Sequence, residues 1–422
     1  MKVVHVSTSD NGGAGLAAYR LHRGLLEQGV ESRMIVANRT KSDDTIVQAE
    51  QDKNLLFQPP KNALLRKFKK IMRRRGKYLT HFEYIQKEIE RLHNLYPQVF
   101  YTSPISTYDL SNHPLIQEAD IIHLHWIQNF VNFDTFFNNV NKPIIWTLHD
   151  LNPMMGGFHH LLWKNRYYEE YKKLEDDFYG IKKQAICNAR NLSIVAISKQ
   201  MHNMISKHEF FNGRNVYDIH NSVDGQEFSL INQTEVRKVL SIPIEKKVFL
   251  FVNGFLNDET KGLDNLIEAI KYLKPEDSML ICVGNGKVPS VQNIPIRHFS
   301  AVSDTEWLSL LYSTADFLVL PSLQEGLSQT SLESLCCGTP VISTPVSGSE
   351  DIINNSNGVI CSDYTPKAIA EGIASAMQME YDRSAIRKDI LERFGIEKNI
   401  EKHLNVYNTI SIFNSDVTLT LV

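Results

Sequence analysis

Short apolar runs alternate with stretches in which apolar residues recur at helical spacing, and the alternation extends over almost all of the 422 residues. Apolar runs of roughly four to eight residues bounded by polar turns predict buried strands, and the helical recurrence predicts helices laid over them. In the first half, strands fall at 2–7, 30–37, 121–126, 143–148 and 192–197, with helices at 16–28, 165–188 and 199–207. In the second half, strands at 247–252, 279–283, 296–298, 317–320, 341–344 and 359–361 alternate with helices at 263–272, 306–314, 327–338 and 366–377. Helical spacing resumes over 383–413. Such an alternation predicts parallel sheets covered by helices, the α/β class.

Ligands of parallel sheets gather at the carboxyl ends of strands, so the residues that follow each strand carry the candidate chemistry. The densest case is FLVLPSLQEGLSQTSLESLCCG, 317–338. Here the strand is followed by Glu325, Gly326 and Leu327, and then by a helix containing Glu333. The free N–H groups of a first helical turn suit a diphosphate, and a carboxylate on either side accepts hydrogen bonds from sugar hydroxyls. After the first strand, the loop TSDNGGAG brings Gly12 and Gly13 to a turn where backbone can approach a phosphate. It lacks the G-x-G-x-x-G spacing, so no dinucleotide fingerprint is claimed. The strand at 121–126 ends in His123, His125 and Trp126, and that at 143–148 is followed by His149, with His159 and His160 further on.

Composition is that of an ordinary globular protein, with 42% hydrophobic and 22% charged residues. Five scattered cysteines, Cys187, Cys282, Cys336, Cys337 and Cys361, include no C-x-x-C pair, which argues against a disulfide framework and a zinc site. No apolar run reaches the length of a spanning helix, and the N-terminus opens into a strand without a signal-peptide core, so a cytoplasmic protein is expected. Charge is unevenly placed. Residues 61–77 hold nine basic residues and no acidic one; removing them from the totals of 45 basic and 48 acidic leaves 36 against 48, a formal charge of −12. Leu64, Leu65, Phe68, Ile71 and Met72 share one helical face there. The segment, about 58–82, therefore reads either as a membrane-surface helix presenting Arg66, Lys67, Lys69, Lys70, Arg73, Arg74 and Arg75, or as a helix packed on its own domain. No recognition fold accompanies it, so nucleic acid is not an expected partner.

The Glu-x7-Glu pattern EGLSQTSLE, followed by GTPVIST, resembles the donor-site signature of retaining glycosyltransferases of family 4, and TLHDLNPMMGG resembles a segment of their first domain. The resemblance covers nearly the whole chain and is strongest over 248–353. It implies the GT-B architecture, two Rossmann-like domains facing a cleft. The acceptor domain would be 1–225, the nucleotide-sugar donor domain 226–390, and the helices of 391–422 would cross back, with the handover between Asn221 and Ile231. It also implies roles: Glu325 on the transferred sugar, Glu333 on the ribose, His149 beside the sugar, and Gly12 and Gly13 near the donor phosphates. In the family an Arg and a Lys grip the diphosphate. Lys261 matches the Lys, but no Arg occurs from 248 to 272, a departure that removes one contact. The implied activity is transfer of a sugar from a nucleotide-diphosphate-sugar to an acceptor hydroxyl. The acceptor would be a lipid-linked glycan of bacterial surface polysaccharide, and the enzyme would sit on the inner face of the membrane. No metal or other cofactor is expected, because no Asp-x-Asp follows an apolar strand. A nucleotide-sugar 2-epimerase and an inactive partner subunit on the same fold are the alternatives.

Overall fold

A computed structural model describes residues 1–52, 80–273, 277–288, 294–302 and 304–419, excepting the side chains of 412–419. The basic segment 61–77 lies outside the described residues. The chain divides into two compact units. The first comprises Met1–Ala196, His202–Tyr217 and Leu404–Val422; the second comprises Ile197–Met201 and Asp218–His403. The division falls at Tyr217/Asp218, a few residues before the expected handover, and again at His403/Leu404, inside the last helix.

The first unit is built on seven strands: β1 (Lys2–Ser9), β2 (Glu31–Asn38), β3 (Ile46–Gln48), β4 (Ile121–Leu124), β5 (Ile144–Leu148), β6 (Leu192–Ala196) and β7 (Val216–Asp218). They lie in the order β3-β2-β1-β4-β5-β6-β7. The pairs from β3 through β6 are parallel. Chain order reverses between β1 and β4, and that reversal opens a crevice at their carboxyl ends. β4, β5 and β6 are buried along their whole length, which explains their unbroken apolar runs. Among the elements that escaped the sequence reading are β3, the helix His81–Leu95 and the short helices Pro114–Glu118 and Phe133–Asn139. β3 is only three residues long, and the helix His81–Leu95 presents only Ile85 and Leu92 to the core, too sparse a stripe to read.

The second unit repeats the plan with β8 (Lys247–Phe255), β9 (Ser278–Asn285), β10 (Ile296–Phe299), β11 (Phe317–Leu320), β12 (Val341–Ser343) and β13 (Gly358–Ile360). The order is β10-β9-β8-β11-β12-β13, all parallel, with the reversal between β8 and β11. Its core joins Phe249, Phe251, Leu266, Leu280, Ile342 and Ile373, drawn from both the strands and the covering helices. Four of the five cysteines are buried, and Cys187 is exposed.

Two expected turns differ. The stretch Gly12–Gly15 belongs to the helix Gly12–Glu27, which starts four residues earlier than its periodicity suggests because Asn11 caps it, accepting from the Gly12 N–H at 2.8 Å. The helix after β11 begins at Gln329, capped by Ser328, and Leu327 is a buried loop residue ahead of it. The apolar character of Leu327 serves packing, whereas the hydroxyl of Ser328 can satisfy a free N–H of the first turn and so fixes the start.

Candidate active site

In the second unit, the two sides of the β8/β11 reversal bring together residues 64 positions apart. Lys261 Nζ donates to Glu325 Oε1 at 2.8 Å, and Ser322 Oγ donates to the same oxygen at 2.8 Å. The backbone enforces the approach. Gly262 has φ +70°, and a Cβ there would lie 2.0 Å from the carbonyl oxygen of Pro321, so only glycine lets the loop after β8 touch the end of β11. The Leu323 N–H donates to the Thr260 carbonyl at 2.7 Å and closes the contact. Burial alone would lower the Lys261 pKa, but Glu325 outweighs it and holds the ammonium above its ordinary value. A cavity of about 610 Å³ opens against the loop that carries Lys261, lined by Asn257, Asp258, Glu259, Gly262, Lys287 and Leu323 among others, with neither Lys261 nor Glu325 in its wall.

Glu333 is the fifth residue of its helix. It is 7% exposed, and its Oε2 accepts from the Tyr312 hydroxyl at 2.9 Å. Gly326 and Leu327 sit beside Gly348, which has φ +78° and where a Cβ would lie 2.6 Å from Leu327 Cδ1.

In the first unit, Gly12 and Gly13 are exposed, and a Cβ on either would meet nothing within 4 Å. Gly12 still needs glycine for its φ of +72°, whereas Gly15 is the one packed tightly, a Cβ there lying 2.4 Å from the Ser9 carbonyl oxygen. His149 follows β5, half-buried, with its Nε2 3.3 Å from His125 Nδ1. His125 Nε2 is in turn 3.0 Å from His5 Nδ1. His123 meets the Tyr407 hydroxyl at 2.6 Å and the Thr147 hydroxyl at 2.8 Å. Among the described residues, His5, His123 and His125 are the group whose ring nitrogens, all within 4.8 Å of one another, could hold a metal ion. Trp126 stacks on the half-exposed Phe100, their planes 7° apart.

The segment after His149 is held by a buried polar network that the sequence reading missed. Asp150 accepts from His159 Nδ1 at 2.7 Å and from Trp126 Nε1 at 3.0 Å. Glu175 accepts from the N–H groups of Gly156 and Gly157. Lys182 donates to the backbone and side-chain oxygens of Asn152 at 2.8 and 2.7 Å. The signal was present: Tyr171, Leu174, Glu175, Phe178, Lys182 and Ala185 form one buried face of the helix Leu161–Asn188, so two charged residues stand on its apolar stripe. Burial pushes the Lys182 amine down to about 7 against the opposing pull of Glu175 and Asp150. Burial would raise the Asp150 carboxyl, but the His159 ring, the Trp126 N–H and the Asn152 N–H bring it down to about 2.

Because folding lowers the Asp150 pKa, its ionised form adds roughly 2 kcal/mol at neutral pH, fully present above about pH 4 and lost as pH falls towards about 2. The urea midpoint of the wild type is expected to fall more steeply between about pH 4 and pH 2 than that of Asp150→Asn. Parallel curves for the two proteins would remove Asp150 from the acid response.

Two Rossmann-like parallel-sheet units, with charged residues gathered at a strand-order reversal, define the GT-B class of α/β protein. Solved structures agree with the fold. Anabaena HepE in complex with UDP-glucose superposes with a TM-score of 0.63 at 13% identity, covering 97% of this chain and 100% of that one. WaaG, a glycosyltransferase involved in lipopolysaccharide biosynthesis, superposes with a TM-score of 0.57 at 14% identity, covering 93% and 94%. Residues 232–393 match the family model of glycosyl transferases group 1. An uncharacterized glycosyltransferase of Methanocaldococcus jannaschii is 24% identical over 314 residues, 69% of this chain and 76% of that protein. Two further curated relatives match over only 43% and 45% of their own length. The second unit thus matches the group 1 glycosyltransferase domain over residues 232–393, and together with the glycosyltransferase relatives this match supports a transferase.

Proposed function

We propose that the protein is a retaining glycosyltransferase that moves a sugar from a nucleotide-diphosphate-sugar to an acceptor hydroxyl, and that the acceptor is a lipid-linked glycan of surface polysaccharide. The observation that carries the donor reading is the Lys261–Glu325 pair at the β8/β11 reversal, on a loop whose neighbouring residues line the 610 Å³ cavity. As the donor bond breaks, negative charge develops on the diphosphate, and the Lys261 ammonium is the preformed positive charge that would stabilise it. With no Arg on the loop after β8, Lys287 on the cavity wall is the residue placed to supply a second positive charge. Gly13 and the N–H groups of Gly326 and Leu327 would offer backbone donors to phosphate, and Gly12, whose own N–H is held by Asn11, would let the backbone approach it. Glu325 would accept from hydroxyls of the transferred sugar, and Glu333 from the ribose. His149 would contact the sugar from the first unit. The acceptor would attack on the face from which the diphosphate leaves, so configuration is kept without a protein nucleophile. No metal takes part in this scheme, and activity is expected to survive excess EDTA.

The UDP-glucose of the HepE complex supports the donor class, and the involvement of WaaG in lipopolysaccharide biosynthesis supports the acceptor class. The nine basic residues of 61–77 support attachment to an anionic membrane surface, because each such charge near the surface contributes on the order of 1 kcal/mol. The test is incubation with radiolabelled nucleotide-sugars and anionic lipid extract, with and without EDTA. Label moving to lipid with retained configuration is the expected result. An epimerised donor, or an unchanged one across the panel, would overturn the reading in favour of an epimerase or a non-catalytic partner subunit. Loss of transfer with EDTA, restored by Mn²⁺, would overturn the metal-free scheme.

A further inference from the structure

In the first unit, three imidazoles form a continuous row from the sheet interior to the end of β5. His5 lies on β1 opposite His123 of β4, and His125 follows β4. The ring nitrogens His5 Nδ1 and His125 Nε2 are 3.0 Å apart, and His125 Nδ1 and His149 Nε2 are 3.3 Å apart. The successive rings lie within 30° of parallel, at 29° and 28°. Exposure is 0% at His5 and 3% at His125, and His149 is half-buried. The middle ring is held rigidly. The His125 N–H donates to Val6, its carbonyl accepts from Trp146 Nε1 at 2.9 Å, and His123 stacks against it at 4.3 Å.

From this geometry we infer that His125 and His5 are positioning residues that select the tautomer of His149. An uncharged imidazole has one N–H and one lone pair. With both His125 nitrogens engaged by other imidazoles, the ring must donate one bond and accept the other, so both bonds run in the same direction along the row. If they run inward, His149 carries its proton on Nε2 and offers a lone pair at Nδ1. If they run outward, His149 accepts at Nε2 and carries N–H at Nδ1. His5, which touches only His125 in this row, therefore acts on the outer nitrogen of a residue two rings away. Such partners set which ring nitrogen is protonated and how the ring is oriented. The inference deepens the proposed role of His149 and rests on it only for its effect on catalysis.

A metal cage is the competing use of the same residues. It is less favoured because both His123 nitrogens already meet hydroxyls and the His5–His125 contact has hydrogen-bond length.

The test uses the full chain labelled with ¹⁵N-histidine, because imidazole ¹H–¹⁵N correlation spectra report the tautomer of each ring. The wild type is expected to show a single tautomer at His149. His125→Phe and His5→Phe should each convert it to a mixture and lower kcat about 10-fold, with the donor KM little changed. His5→Asn places an amide near the former Nδ1 and should restore the single tautomer. If His125→Phe fails to fold, the His5 pair decides. An unaltered His149 pattern in His5→Phe would overturn the inference. So would one equivalent of Zn²⁺ shifting His5, His123 and His125 together in the wild type. A coupled His149 pattern, together with full transfer by His149→Ala, would leave the row standing and remove His149 from catalysis.

Discussion

Replacing Glu325 by alanine is expected to lower kcat/KM by roughly 100-fold, about 3 kcal/mol, the scale of losing charge-assisted hydrogen bonds to a reacting group. Two effects combine. The sugar loses a carboxylate acceptor, and Lys261, held 2.8 Å from that carboxylate, loses the group that orients it towards the diphosphate. Glu325→Gln keeps the acceptor oxygen and should recover part of the loss. Lys261→Ala combined with Glu325→Ala should cost less than the two single losses added, because the pair acts as one unit. Glu333→Ala should behave differently. Its carboxylate is buried against Tyr312, so the donor KM should rise and stability fall together. Steady-state kinetics on the five variants decides the matter, and wild-type turnover by Glu325→Ala would remove this carboxylate from the reaction.

Gly262→Ala is expected to destabilise the second unit by about 2–4 kcal/mol and to abolish measurable donor binding with it. At φ +70° an alanine is strained, and its Cβ would sit 2.0 Å from a backbone oxygen that cannot swing away as a side-chain tip would. Relief requires the loop after β8 to lift from the end of β11, which separates Lys261 from Glu325. Gly180→Ala is the control. That glycine lies within the helix Leu161–Asn188 with open space around its missing Cβ, so the exchange should be neutral or stabilising by up to about 1 kcal/mol. Urea midpoints and nucleotide binding for the two variants give the comparison, and equal midpoints would show that the Gly262 contact does not constrain the loop.

The extent of what was legible follows from the range of the forces involved. Strands such as Ile144–Leu148 and Phe317–Leu320 were readable because both faces are covered, so each appears as an unbroken apolar run. The helix Lys199–Lys207 was readable to the residue, since Ser198 and its periodicity mark both ends locally. The helix His81–Leu95 went unread although a capping box between Thr80 and Glu83 opens it, because that signal stands beside a sparse apolar stripe. Glu325, Glu333 and His149 could be singled out because they follow strands or sit on the helix after one, where an α/β sheet exposes its chemistry, whereas Lys261 was reached only through the family resemblance.

Local patterning therefore determined the α/β class, most strand and helix positions, and which residues stand at strand ends. Tertiary structure alone decided the order of the strands in each sheet, and hence that Lys261 meets Glu325 across 64 residues. It also decided that His5, read as one residue of an apolar strand, stands beside His125 across 120 residues. It turned Glu175 and Lys182 from residues on a long helix into the buried supports of the segment after His149. The physical reason is the same in each case. Periodicity records which side of an element is buried, whereas the partner a buried polar group finds depends on which strands become neighbours.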